Sequence, residues 1–347
     1  MATRYPGVIP PHMLKRLSEH GSESQRRWAS STLSTDRHFR QPMAAREMAA
    51  ALHAEYSNSP RGTPSRYIFD AGHKTELPGE LVLSEGEPAT ADDTAHEAYT
   101  DLGATYRFFY DVFERHSIDG EGMALLGSVH YGEAYQNAFW DGRQMVFGDG
   151  DGEIFLPFTR AIDVVAHELT HGVTELTAGL VYYNQSGALN ESISDVFGVM
   201  VKQYQAGQTV DEADWLIGAA LLGPEVQGKA LRSMAAPGTA YDDPVLGKDP
   251  QPGHMDQFVD TTDDNGGVHI NSGIPNHAFY LIATELGGYS WETAGAIWYA
   301  ALTDERLAND AQFVDFAGLT MAHATQRFGS KVADIVQKGW QQVGIGP

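Results

Sequence analysis

Two histidines four residues apart with a glutamate beside the first could hold and use a metal ion: His167-Glu168-Leu169-Thr170-His171. The pentapeptide lies in an apolar stretch, Ile162 to Val173, that reads as a helix. At 3.6 residues per turn, positions i and i+4 share one face, so both imidazoles can reach one ion. Glu168 then sits beside the metal rather than on it, where a general base must be to take a proton from activated water. With 14 His and 46 Asp plus Glu in 347 residues, this pattern arises by chance about 0.07 times. The competing reading is a helix that carries two histidines for no chemical reason. A catalytic zinc needs a third protein ligand and an open fourth position. Glu191, 20 residues after His171, can supply it from the start of the next helix, in Asn190-Glu191-Ser192-Ile193-Ser194-Asp195. By itself Glu191 would be an ordinary carboxylate at a helix N-terminus. Asp195, one turn beyond, and Asn190 are candidates to accept the second N–H of a ligand imidazole. Asn190 reads almost as well as an N-cap.

These side chains need a scaffold. Helices are expected near 12–19, 42–56, 96–115, 161–178, 189–206, 273–287, 291–303, 311–328 and 330–343. A Ser-rich stretch, Ser22 to Ser34, separates the first two, and residues 5–11 read as extended because of their prolines. Ser57 to Ser65 is a breaker cluster suited to a cleavable linker. Met123–Tyr131 and Met145–Phe147 read as strands in a stretch of strands and turns from Tyr67 to about residue 152. A β-rich half followed by a helical half is an α+β pattern. Composition narrows the chemistry. The chain has no cysteine, so disulfides and thiolate metal sites are excluded. A net charge of −23 argues against nucleic acid as a partner. No apolar run reaches membrane-spanning length. Met1 to Pro11 is no recognisable secretory signal, so the chain stays where it is made or leaves by another route, with secretion favoured. Residues 1–50 hold 8 Lys/Arg and 4 Asp/Glu, which leaves 15 and 42 for residues 51–347. A basic segment on an acidic body is expected to dock back onto it, against the alternative of a solvated tail.

His167–His171 together with Asn190–Asp195 resembles the thermolysin family of metallopeptidases, from roughly Tyr67 to Gly344. Asn137-Ala138-Phe139-Trp140 resembles its substrate-binding edge strand. Leu231-Arg232-Ser233-Met234 resembles its substrate-carbonyl arginine region, and Gly266–Gly273 the segment with its second catalytic residue. The resemblance implies a thermolysin-like α+β fold with zinc in the cleft between the halves. It implies His167, His171 and Glu191 as ligands, Glu168 as base, and His269 and Tyr182 as oxyanion donors, with Asp264 holding His269. Asn137, Ala138 and Arg232 would bind substrate backbone. Phe155, Phe158, Val164, Ile217, Leu221 and Leu231 would line the pocket for the residue after the cut, implying cleavage before Leu, Ile or Phe. Phe158 is bulkier than the expected leucine, which would make that pocket shallower.

Ile9-Pro10-Pro11-His12-Met13-Leu14 resembles the short propeptide of the protealysin-type subgroup, through Pro10, Pro11, Met13 and Leu14. The expected organisation is an inhibitory propeptide and linker (1–55), a β-rich domain with the zinc helix (56–178) and a helical domain (179–347). A preordered Pro-Pro unit would lie along the cleft without being cut. A swapped or oligomerising arm is the alternative. One departure from the family stands out. Asp163 and Asp214 match ligands of its double calcium site, but Lys202 stands where a bridging carboxylate is expected. Leu216 and Ala219 replace two further glutamates, and Lys229 an aspartate of another site. Calcium wants six to eight oxygens, so it is not expected at the double site, with Lys202 in its place. The reading is a zinc endopeptidase precursor acting on proteins and peptides, with its own propeptide as inhibitor and a monomer as the expected state. The alternatives are a non-catalytic, zinc-stabilised peptide-binding protein, for which a base at Glu168 has no use, and an exopeptidase, for which no terminus-capturing charge is evident.

Overall fold

The computed structural model describes residues 7–39, 56, 59–88 and 90–346. Pro10 is extended, at φ −63° and ψ 145°, and Pro11 opens helix α1 (Pro11–His20). Proline suits a first helical position because the N–H it lacks would be unpaired there anyway. The extended reading of residues 5–11 therefore fails at Pro11. Met13, Leu14 and Leu17 share one face of α1 and are fully buried. The Ser-rich stretch is not a break but helix α2 (Glu23–Phe39). Its buried face is Gln25, Ala29, Thr32 and Asp36, a helical spacing with hardly any apolar residue in it. A search for apolar periodicity cannot see such a face. The helix expected at 42–56 lies outside the described residues except for Tyr56, which is in a bend.

Residues 59–65 lie along the body, with Ser59 N–H donating to the Gly122 carbonyl and Leu125 N–H to that of Ser65. A five-stranded sheet follows, in the order β2-β1-β3-β5-β4. Its strands are β1 (Arg66–Asp70), β2 (Glu80–Ser84), β3 (Leu125–Val129), β4 (Ala138–Trp140) and β5 (Met145–Phe147). β4 runs antiparallel to β5, with Ala138 opposite Phe147 and Trp140 opposite Met145, and its other side is the sheet edge. Helix α3 (Asp93–Phe113), capped by the Asp92 carboxylate on Thr94 and Ala95 N–H, packs on β1 and β3.

The two helices that matter most are α4 (Ile162–Glu175) and α5 (Asn184–Ala206). α5 starts five residues earlier than expected, so Glu191 sits two turns inside it and not at its N-terminus. Gly198 lets the pair approach closely, since a Cβ there would lie 2.4 Å from the Asp163 carbonyl. Then come α6 (Asp264–Asn271), α7 (Gly273–Leu286), α8 (Ala294–Leu302), α9 (Phe313–Phe328) and α10 (Ser330–Gln342). The last four lie within three residues of the expected spans. Trp298 stacks on Trp340 in their core, with ring centroids 5.6 Å apart. Two-residue pairs, β6 (Leu216–Ile217) with β7 (Arg232–Ser233) and β8 (Asp242–Asp243) with β9 (Gly247–Lys248), complete the α+β fold. Among the described residues no helix is long and apolar enough to cross a membrane.

Candidate metal centre and cleft

α4 and α5 bring three potential ligand atoms to one point. His167 Nε2 lies 3.1 Å from His171 Nε2 and 3.5 Å from Glu191 Oε2, and His171 Nε2 lies 3.4 Å from Glu191 Oε1. All three side chains are buried. Ligands at ~2.1 Å from a tetrahedral ion stand roughly 3.4 Å apart, so the spacing suits zinc. The outer nitrogens are already committed. His167 Nδ1 lies 2.8 Å from Asp195 Oδ1, and His171 Nδ1 donates to Asn190 Oδ1 at 2.8 Å. Each Nε2 is thereby left as a lone pair directed inward. Glu191 Oε2 and Glu168 Oε1 are buried without a hydrogen-bond partner among the described residues. Such orphaned acceptors are costly unless a cation or water meets them. The residues therefore fit a zinc ion.

Glu168 points into the same space from the neighbouring position. Its Oε2 accepts the Trp140 N–H of β4 at 3.1 Å. Burial pushes its pKa well above the carboxylate range, and the Glu191 charge adds to this. A divalent cation beside it would act in the opposite sense. For Glu191, burial alone would raise the pKa, but the histidines around it hold it below the usual value.

The opposite wall carries His269. Asp264 to Gly267 all have positive φ, so α6 enters through a left-handed turn. That turn places the Asp264 carboxylate under the ring, 2.8 Å from His269 Nδ1, and it also accepts the His269 backbone N–H at 2.9 Å. Burial alone would lower the imidazole pKa, but Asp264 and Glu191 outweigh it and push it up to about 9. His269 is thus a cation at neutral pH, with Nε2–H facing the cleft. Tyr182 Oη lies 3.4 Å from that nitrogen and hydrogen-bonds Glu191.

The N-terminal segment lies across these groups. Gly7 carbonyl accepts from His269 Nε2 at 3.1 Å. Val8 N–H donates to the Ala138 carbonyl on the edge of β4 at 3.1 Å, and Val8 carbonyl accepts from Arg232 Nη1 at 3.1 Å. Ile9 N–H donates to Asn137 Oδ1 at 2.9 Å. Arg232 is itself held by a two-toothed pair with Asp195, at 2.7 and 2.8 Å. The residues expected to line the pocket, Phe155, Phe158, Val164, Ile217, Leu221 and Leu231, are all buried and belong, with Val8, to the main hydrophobic core. Pro10 and Pro11 follow and turn the chain into α1, where Pro11 lines a cavity with His12 and Asp264. The expectation that the Pro-Pro unit occupies the cleft is corrected to Gly7-Val8-Ile9. Among the described residues no ion pair joins a Lys or Arg of this segment to the body. Buried Met13, Leu14 and Leu17 carry α1, while Gln25 bonds Glu153, Thr32 accepts from Gln136 N–H and Asp36 bonds Tyr135 and Asn137.

Lys202 lies one rung further along the helix pair. Its Nζ is 2.8 Å from Asp214 Oδ1 and 3.3 Å from Asp163 Oδ2, and it donates to the Leu216 carbonyl. Burial would lower its pKa, yet the two aspartates raise it.

Several groups at the centre went unnoticed in the sequence. Asn276 Nδ2 donates to Asp195 Oδ2 at 2.8 Å, Ser194 Oγ lies 3.1 Å from His171 Nδ1, and Gln251 Nε2 donates to the His269 carbonyl at 2.8 Å. Ser194 lies one helical turn beyond Asn190, on the same face, and could have been found; Asn276 and Gln251 carry no local signal.

The chain is similar to known proteins in sequence and in fold. The family described as thermolysin metallopeptidase, catalytic domain, matches residues 46–175, and the family's alpha-helical domain matches residues 178–345. An extracellular metalloprotease of Pectobacterium carotovorum subsp. carotovorum is 56% identical over 338 residues, covering 97% of this chain and 96% of that one. A thermolysin of Alicyclobacillus acidocaldarius subsp. acidocaldarius is 40% identical over 291 residues, 80% of this chain and 50% of its own length. The solved precursor of protealysin, a metalloproteinase from Serratia proteamaculans, superimposes with a TM-score of 0.90 at 56% identity, covering 98% of this chain and 99% of that one.

Proposed function

The chain belongs to the thermolysin family of metallopeptidases, protealysin type, and we propose that it is the latent precursor of a zinc endopeptidase that cuts before Leu, Ile or Phe. In this reading residues 1–55 are propeptide and linker, 56–178 the β-rich domain and 179–347 the helical domain. The observation that carries it is the convergence of His167, His171 and Glu191 on one point, with the unsatisfied Glu168 beside them and a peptide segment lying across both.

His167, His171 and Glu191 would hold the metal, oriented by Asp195 and Asn190. When bound, zinc supplies Lewis-acid polarisation of a carbonyl and lowers the pKa of water toward neutrality. Glu168 takes the proton of the attacking water at Oε1 and delivers it to the departing amine nitrogen. Cationic His269 donates from Nε2 to the oxygen that gains charge, and Tyr182 donates from Oη. Asp264 keeps His269 charged and oriented. Ala138 and Asn137 accept substrate N–H groups along the β4 edge, and Arg232 donates to the carbonyl after the cut. The apolar cluster of Phe155, Phe158, Val164, Ile217, Leu221 and Leu231 takes the side chain that follows the cut. Named extracellular relatives support secretion. The test is digestion of a peptide library by matured protein, with and without a zinc chelator, and mass spectrometry of the cuts. Cuts before Leu, Ile and Phe that vanish with the chelator are expected. Peptide binding without any cut would favour the non-catalytic binding protein instead.

A further inference from the structure

We propose that Gly7, through its left-handed backbone, is the residue that keeps the bound N-terminal segment an inhibitor rather than a substrate. This rests on the reading of that segment as an inhibitory propeptide. Its hydrogen bonds follow the order a substrate would use. Ala138 accepts from Val8 N–H, Arg232 donates to the Val8 carbonyl and Asn137 accepts from Ile9 N–H. His269 reaches the Gly7 carbonyl oxygen, the atom that would gain charge if the Gly7–Val8 bond were attacked. The segment therefore runs in the productive direction, with that bond at the place of reaction. Pro10 and Pro11 are too far along the chain to shield it.

What sets the segment apart from a substrate is the residue before the bond. Gly7 has φ +87°, a conformation that costs little for glycine and is strained for an L residue. A Cβ built on Gly7 would also lie 2.3 Å from the Ala138 carbonyl oxygen and 2.8 Å from Asn137 Oδ1. The clash with the carbonyl is with backbone of β4 and cannot be relieved by a rotamer change. A substrate with a side chain at this position must enter with negative φ, which turns its carbonyl differently toward Glu168 and the metal ligands. Glycine thus allows substrate-like hydrogen bonds without a substrate's backbone. Any L side chain at position 7 must either leave the cleft or adopt the extended form. In the second case water adds across the bond, giving a carboxylate on residue 7 and a free amine on Val8.

The experiment compares full-length wild type and Gly7→Ala, assayed on a short quenched peptide before any cut near residues 50–65, with intact mass spectrometry of each sample. Gly7→Ala is expected to raise precursor activity by about tenfold or more, the scale of the left-handed penalty for an L residue. Both variants are also made with Glu168→Gln, so that neither can process itself. There, a dipeptide hydroxamate should bind about tenfold tighter to the Gly7→Ala chain. This binding measurement, with melting curves alongside, separates a released segment from a misfolded chain. A Gly7→Ala precursor as latent as wild type, with unchanged hydroxamate affinity, overturns the role of Gly7. A wild-type precursor as active as its matured form would instead overturn the propeptide reading beneath it.

Discussion

Helices α4 and α5 hold two clusters of acidic groups within a few turns of each other, and the two are closed in different ways. Down the pair, His171 meets Asn190, His167 meets Asp195, and Asp163 meets Lys202. At the first two rungs the outer contacts are made, and Glu191 Oε2 and Glu168 Oε1 on the inner side have no hydrogen-bond partner among the described residues. At the third, an ammonium fills the space between carboxylates. A cluster that carries its own cation between its carboxylates has no need of a metal, whereas one that leaves Glu168 Oε1 buried without a hydrogen-bond partner among the described residues is suited to receive one. Burial differs in part, since Asp163 of the lysine cluster is as buried as the metal-site groups. Glu191 is 1% exposed, while the Asp214 side chain at the lysine cluster is 51% exposed. Strong chemistry belongs to the first site and modest stabilisation to the second.

The sharpest way to break this comparison is at the base. Glu168→Gln keeps the ligands and removes only the proton acceptor, so turnover of matured protein should fall at least ~10³-fold while bound zinc stays at one per chain. A variant that retains a tenth of the activity would remove Glu168 from the mechanism. Glu191→Ala should instead lose the metal, read as zinc per chain.

Asp195→Asn comes next. The amide can no longer accept from both His167 and Arg232 as a charge. Zinc affinity should drop about 10–100-fold. Competition with a chelator of known strength measures it, and an unchanged affinity would mean that the outer contact is mere packing.

Lys202→Met probes the closed cluster. It leaves Asp163 buried without its cation. Breaking a fully buried pair costs about 3–5 kcal/mol. Lys202 is 20% exposed and Asp214 half exposed, so a loss of roughly 2 kcal/mol is expected here. Thermal melts read it, with exposed Gln205→Ala near the end of α5 as a reference. A calcium-selective chelator should leave the wild-type melting temperature where it was. A clear drop would show that calcium, not Lys202, closes this site.

The smallest effect belongs to a third cluster that carries a titratable cation. His130 lies between Asp149, at 2.9 Å, and Asp92, at 3.0 Å. The Asp149 hydrogen bond raises its pKa; partial burial opposes this, and Asp92 helps carry it to about 9. A folded pKa above the ordinary value of 6.5 means stability that is complete below that pH and lost as pH climbs toward 9. The melting-temperature gap between wild type and His130→Gln should therefore shrink from pH 6 to 9.5. A constant gap would show that His130 is not held as a cation.

Much of the centre was legible because helices impose local geometry. His167 and His171 share a face by spacing alone, and Asp195 follows Glu191 by one turn on any helix. Spans of apolar periodicity such as 273–286 and 313–328 were likewise visible. α2 was not, because its buried face is Gln25, Ala29, Thr32 and Asp36. Its burial comes from matching polar groups on the body, such as Tyr135 and the Gln136 N–H, and those lie about a hundred residues away.

By itself, then, the order of residues determined which side chains could bind zinc and which could act as base. Those are matters of residue type and of periodicity within one helix. Only the tertiary structure decided what lies in the cleft. The prolines are the conspicuous feature of the first segment, yet the residues on the reactive groups are Gly7, Val8 and Ile9. Their placement depends on a β4 edge that offers the Ala138 carbonyl, on Arg232 fixed by Asp195, and on His269 aimed by a left-handed turn. Backbone hydrogen bonds carry no side-chain code, so no motif in the segment announces where it will bind; the register comes from elements that meet only on folding.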